Sequence, residues 1–178
     1  MSQVIAKSRR LIGATAASLI FAGLAHAGIE IDVGGTKIPA TSLSFSVSQQ
    51  PVYDPETYVP VDPKRSELYT GSFYVTRSFD GSSVKVLKNV IDGKQIPAVQ
   101  IVMTRDGVPG RQVWKLKNAT LNNYSTYTGE GSDVVENFDI SYETATLEVY
   151  TGTGNAPSDT LTWSAAAPTS GMPMPVDH

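Results

Sequence analysis

The residue types that do covalent or metal chemistry are nearly missing from this chain. It has no cysteine and two histidines, His26 and His178, so disulfides and thiolate metal sites are excluded. Serine triads, Cys–His nucleophiles and zinc hydrolases each need a positioned imidazole or thiolate. His26 falls in an export leader (below), and His178 is the last residue, where chain ends lose order. Carboxylate-only hydrolysis survives as the one enzymatic alternative, since paired Asp or Glu can act as acid and base. Glu130, Asp133 and Glu136 lie close enough to suggest a calcium loop. Their spacing is not that of an EF-hand and no second ligand set is evident, so a solvated acidic loop is expected. Gly34-Gly35-Thr36-Lys37 echoes a phosphate loop but lacks its spacer and following helix, and reads as a hairpin turn. Asn118-Ala119-Thr120 and Asn123-Tyr124-Ser125 match the glycosylation sequon and are read as ordinary strand and loop residues. No catalytic, cofactor or metal residue is assigned, and the chain is read as a non-enzyme that works through its surfaces.

The surface signal lies between Pro51 and Gly71. Pro51, Pro55, Pro60 and Pro63 lock φ and remove backbone donors, so a continuous strand or helix is not expected. Tyr53, Tyr58, Val59, Val61 and Tyr69 are nevertheless apolar for a solvated loop. Long loops bearing tyrosines are often functional; the plain alternative is a loop folded flat over the core edge. Tyr53, Tyr58, Val59 and Tyr69 are taken as candidate interface residues, together with Lys85 and Lys88 on the wet face of a short helix.

The elements that must position them alternate with period two, as half-buried strands do. Ile29, Ile31 and Val33 open the pattern; Leu43, Phe45 and Val47 repeat it between serines. Phe73 and Val75 precede an Asp80-Gly81 turn. Ser82 or Ser83 can then cap a helix whose Val86, Leu87, Val90 and Ile91 share one face. Asp92-Gly93 stops it, glycine taking the left-handed conformation cheaply. Val99, Ile101 and Met103 resume the strand pattern until Asp106-Gly107 and Pro109-Gly110 turn the chain. Val113–Leu121 reads as a strand and 122–133 as a loop. Phe138, Ile140 and Tyr142 alternate, then Leu147 and Val149 alternate in the opposite phase, which predicts a bend between Glu143 and Thr146. Leu161 and Trp163 mark a last strand. About seven strands and one helix predict a mainly β fold: a small, closed or nearly closed β-barrel with one flanking short α-helix.

Lys7, Arg9 and Arg10, an apolar stretch from Leu11 to Leu24, and Ala25-His26-Ala27 have the anatomy of a cleavable signal over 1–27. Ser8–Ile12 also fits a twin-arginine pattern. The apolar stretch of about 14 residues falls short of the ~20 needed to span a bilayer, so no stable membrane anchor is expected after processing. Cleavage leaves 178 − 27 = 151 residues, with 14 − 3 = 11 basic against 17 acidic side chains. That surface disfavours nucleic acid, whose phosphates need Lys and Arg. The domain is expected over 28–167, with a disordered tail over 168–178.

The order of these pieces resembles the haemolysin-coregulated protein family, Hcp, whose members form the inner tube of type VI secretion systems. The stretches that carry it are SFYVTRSFDGSSVKVLKNVIDGKQIPAVQIVMTRDG, VWKLKNATLNNYSTYT, ENFDISYETATLEVY and LTWS. Gly93-Lys94-Gln95-Ile96-Pro97 and Thr162-Trp163-Ser164 occupy the family's corresponding places, and the likeness runs from about Gly28 to Ala167. It implies an Hcp-like β-barrel without an active site, self-associating into rings (a homohexamer) that stack into a tube and carry secreted effectors. It also implies a stacking role for 51–71. Family tube subunits need no leader, so an exported copy would act in the periplasm or outside the cell. The alternative is an exported monomeric binding module that uses the 51–71 loop.

Overall fold

The computed structural model describes residues 17–20, 27–51, 53–54, 56–59, 61, 66–129 and 133–165. Eleven strands and one helix occur among them: β1 Ala17–Ile20, β2 Ala27–Val33, β3 Thr36–Ala40, β4 Ser42–Pro51, β5 Ser66–Thr70, β6 Phe73–Ser78, α1 Ser83–Asp92, β7 Ile96–Arg105, β8 Val108–Tyr127, β9 Val135–Ser141, β10 Thr144–Thr151 and β11 Asp159–Ser164. The expected tail, 168–178, lies outside the described residues, as does most of the expected leader. Inside that leader β1 runs antiparallel to β4, from Ala17 opposite Val47 to Ile20 opposite Ser44. Ala27 is the first residue of β2.

The strands follow the path β1-β4-β6-β9-β8-β7-β2-β3, with β5 on β4 and β10 and β11 branching from β8. The expected closed barrel is corrected to an open antiparallel sheet, because the ladder ends at β3. Pro39 in that strand has no N–H to offer a further partner. Gly34 and Gly35 turn β2 into β3 with φ of 56° and 85°, the positive values a two-residue hairpin wants. Asp32 Oδ1 accepts the Gly35 N–H at 2.7 Å and fastens that turn.

β8 is the longest departure from expectation. It continues to Tyr127, where a loop from 122 was expected, and its first residues include Pro109 and Gly110, expected to be a turn. Its first half pairs with β7 and β10 and its second half with β9. The strand bends where it changes partners. Asn118 and Asn123 take φ of 51° and 54°, which asparagine tolerates better than most residues, and the register shifts between Asn122 and Ser125. Their amides donate to Glu143 Oε2 at 2.5 Å and to Asp139 Oδ2 at 2.7 Å. The bend expected between Glu143 and Thr146 falls earlier: the chain leaves the ladder at Tyr142 and Glu143 and re-enters as β10 at Thr144.

Gly110 has φ 130°, and a Cβ there would lie 2.6 Å from the carbonyl oxygen of Tyr150. Since β8 and β10 pair along their length at this point, neither backbone can yield. Gly110→Ala is expected to cost about 1–3 kcal/mol, the usual range for a backbone forced from its allowed region. Urea denaturation checks it; a midpoint equal to the parent's would refute the clash.

The core lies between the two halves of the sheet. Ile31, Phe73, Val75, Val86, Ile101, Ala119, Phe138, Ile140 and Ala145 are fully buried within it. Phe45 stacks on Phe73 with centroids 4.5 Å apart, and Trp114 meets Phe73 edge-on at 5.1 Å and Trp163 at 5.8 Å. Burial also raises the Tyr142 hydroxyl above its ordinary value.

Candidate assembly interface

β4 and β5 pair from Val47 opposite Thr70 to Pro51 opposite Ser66, forming a two-stranded arm. The expected loop is therefore strand at both ends, because Pro51 closes β4 and the proline-free run Ser66–Thr70 rejoins it. At the tip, Asp54 Oδ1 accepts the backbone N–H groups of Glu56 at 2.8 Å and Thr57 at 3.0 Å. The Asp54 N–H donates to Val59 O, and the Tyr58 N–H donates to Asp54 O, both at 2.9 Å. The Thr57 and then the Glu56 N–H hold the Asp54 carboxyl below its ordinary value. Tyr53, Tyr58, Val59 and Tyr69 are all more than half exposed. The arm thus displays all four of its candidate side chains instead of folding them over the core.

Lys85 and Lys88 lie elsewhere. They line a shallow depression with Val33, Gly34, Thr36, Asn89 and Ile96, between α1 and the β2–β3 turn. Lys88 Nζ is 2.8 Å from Asp92 Oδ2, one helical turn on. β6 starts at the arm's base and ends before α1, so its length separates the two lysines' helix from the arm. The six candidates form two surfaces, not one.

The helix also corrects its expected facing. Val86 is fully buried and Val90 partly so, but Leu87 is 37 % and Ile91 73 % exposed, in line with Val84 at 73 %. A 10-residue helix crossing the sheet on one stripe buries only the residues under it; α1 uses Ser83, Val86 and Val90. Gly93 ends it with φ 58°, as expected, while Ser82 at the N-cap makes no side-chain capping bond.

Sequence reasoning missed the buried polar cluster at the α1 N-terminus. Arg77 on β6 and Glu136 on β9 are both fully buried and directly opposite in the ladder, with Arg77 Nε 3.2 Å from Glu136 Oε2. Arg77 Nη1 donates to Ser82 Oγ at 2.7 Å, its Nε also donates to Ser78 O at 3.1 Å, and Nη2 forms an ion pair with Asp80. Ser83 Oγ donates to Glu136 Oε2 at 2.9 Å, and Tyr124 donates to Glu136 Oε1. Burial, then the Glu136 hydrogen bond and charge, push the Tyr124 hydroxyl up to about 12. Glu136 is therefore corrected from a solvated loop acid to a core residue, while Glu130 lies outside the described residues. The signal was in the alternation: Phe73-Val75-Arg77 and Glu136-Phe138-Ile140 place opposite charges at inward positions. No group of three His, Cys, Asp or Glu gathers as a metal site among the described residues. No helix among them is long and apolar enough to cross a membrane.

Residues 35–149 match the family model described as "Type VI secretion system effector, Hcp". No curated protein sequence matches the chain. Among solved structures, it is similar to a type VI secretion system effector from Yersinia pestis, with 13 % identity and a TM-score of 0.59, covering 77 % of this chain and 99 % of that one. It is similar to Hcp2 from Salmonella typhimurium, with 15 % identity and a TM-score of 0.54, covering 77 % and 95 %. It is also similar to the secreted protein Hcp3 from Pseudomonas aeruginosa, with 12 % identity and a TM-score of 0.52, covering 79 % and 98 %. At such identities the structures speak for the fold, and the family match runs from the first hairpin into β10. The chain belongs to the Hcp family of type VI secretion.

Proposed function

We propose that this chain is a non-enzymatic structural subunit that self-associates into rings, as a homohexamer, and stacks them into a type VI tube-like assembly. The observation that carries this is the family match over 35–149, which spans β4, the arm and the strand–helix–strand unit. Tyr53, Tyr58, Val59 and Tyr69 are the stacking contacts, and Lys85 and Lys88 belong to a separate contact. The exposed aromatic tip supports the first assignment, since solvated tyrosines and valines gain most when a partner removes them from water. Secreted effectors are its cargo. The leader expected over 1–27 sends the protein to the periplasm or beyond the cell, where it assembles after processing.

The displayed tyrosines also favour one competing reading, an exported monomeric binding module. Native mass spectrometry separates the two. The parent should give ring masses, and Tyr53→Ala with Tyr58→Ala should leave single rings while reducing stacked species by about tenfold, as loss of aromatic anchors does. A strict monomer at high micromolar concentration would refute the ring subunit and leave the binding module.

A further inference from the structure

The arm tip is built more tightly than a passive connection requires. Four hydrogen bonds tie Asp54 to Glu56, Thr57, Tyr58 and Val59: two into its carboxylate and two through its own backbone N–H and C=O. Across that closure Tyr58 takes φ 54°. A bulky residue adopts the left-handed region only when its surroundings impose it, and such strain concentrates where a side chain must be aimed. Nothing within the described chain repays it by burial, because the Tyr58 side chain is 75 % exposed.

We propose that Asp54 is a positioning residue that holds Tyr58 outward in its left-handed conformation before contact, so that a second copy of this chain meets a preformed aromatic knob. This rests on the self-association proposed above, with the arm as the contact. A floppy tip would have to be ordered during docking, at a cost in affinity; a tip closed during folding has already met that cost. Asp54 itself needs no contact with the partner. Its side chain points its acceptor at the loop's own N–H groups, and the depressed carboxyl pKa agrees with that use.

The test uses the full chain with Asp54→Ala, Asp54→Asn and Tyr58→Ala. Asparagine keeps an Oδ1 acceptor; alanine does not. Three readouts are followed: stacked species by native mass spectrometry, amide hydrogen exchange at Glu56 and Thr57, and the thermal midpoint. Asp54→Ala should speed exchange at both amides and reduce stacking about tenfold, with the midpoint unchanged. Asp54→Asn should keep both slow exchange and stacking. The proposal is overturned if Asp54→Ala opens the tip yet stacks like the parent, or if it weakens stacking without changing exchange. Failure of Asp54→Asn to rescue would also overturn it, as charge and not positioning would then be at work. If Tyr58→Ala stacks normally, this inference falls and the ring subunit stands; if the parent never self-associates, both fall.

Discussion

Arg77→Ala should cost this domain about 3–5 kcal/mol of stability, the penalty for leaving one partner of a buried ion pair uncompensated. Arg77 and Glu136 are both fully buried and face each other across the β6–β9 ladder. Without the guanidinium, the Glu136 carboxylate would keep only the Tyr124 and Ser83 hydroxyls, neutral donors that cannot replace a lost charge in a core. Replacing both members by Arg77→Met and Glu136→Leu should recover much of the loss, because the desolvation cost disappears with the charges. Urea denaturation of the two single variants and the double, at concentrations that keep the protein monomeric, gives the coupling directly. Losses that simply add would show that the pair is not coupled. Asp80 adds an acid limit at the same corner. Its carboxyl is held below its ordinary value, first by the Ser82 hydroxyl, then by the Ser82 N–H and more weakly by Arg77. Its contribution is therefore present above the ordinary carboxylate range and is lost as pH falls through the depressed value.

The second large effect is expected at Phe73. Phe73→Ala should destabilise the fold by about 3–5 kcal/mol, combining lost transfer energy with the cavity left behind. Phe73 is fully buried and touches the rings of Phe45, Trp114 and Tyr142 at once. These rings come from β4, β6, β8 and the bend before β10, so the neighbouring backbones cannot all collapse inward. Leu161→Ala, at a side chain 62 % exposed on β11, is the matched control and should stay within about 0.5 kcal/mol of the parent. A comparable loss at both positions would mean that the ring cluster is not what joins the two halves of the sheet.

Much of the fold was legible because alternation is a local property. A strand that is wet on one face must alternate, and Leu43-Phe45-Val47, Val99-Ile101-Met103 and Phe138-Ile140 all lie in strands that were expected. The turns at Gly34-Gly35, Gly93 and Asp106-Gly107 were equally legible, since glycine takes the positive φ that these reversals need. Less visible was the length of β8. Polar residues from Asn122 onward read as a loop because the half-buried positions there, Asn122 and Tyr124, carry polar groups that hydrogen-bond inward instead of apolar side chains that would mark an alternation. The arm was hidden for a related reason: prolines announced where β4 ends, but Ser66–Thr70 becomes a strand only because β4 is there to pair with.

The sequence alone determined the absence of thiol chemistry, the β-rich class, the short helix and its stop, and the family resemblance, because each follows from residue type or local spacing. Tertiary structure decided what depends on two distant segments meeting. It opened the expected barrel, since closure requires one edge to find another and Pro39-bearing β3 ends the ladder. It turned Leu87 and Ile91 outward, because α1 meets the core along the stripe of Ser83, Val86 and Val90. It brought Arg77 and Glu136 together through the β6–β9 register, a pairing 59 residues apart in the chain (136 − 77 = 59). It also divided the six candidate interface residues between an arm and a helix, because β6 lies between them.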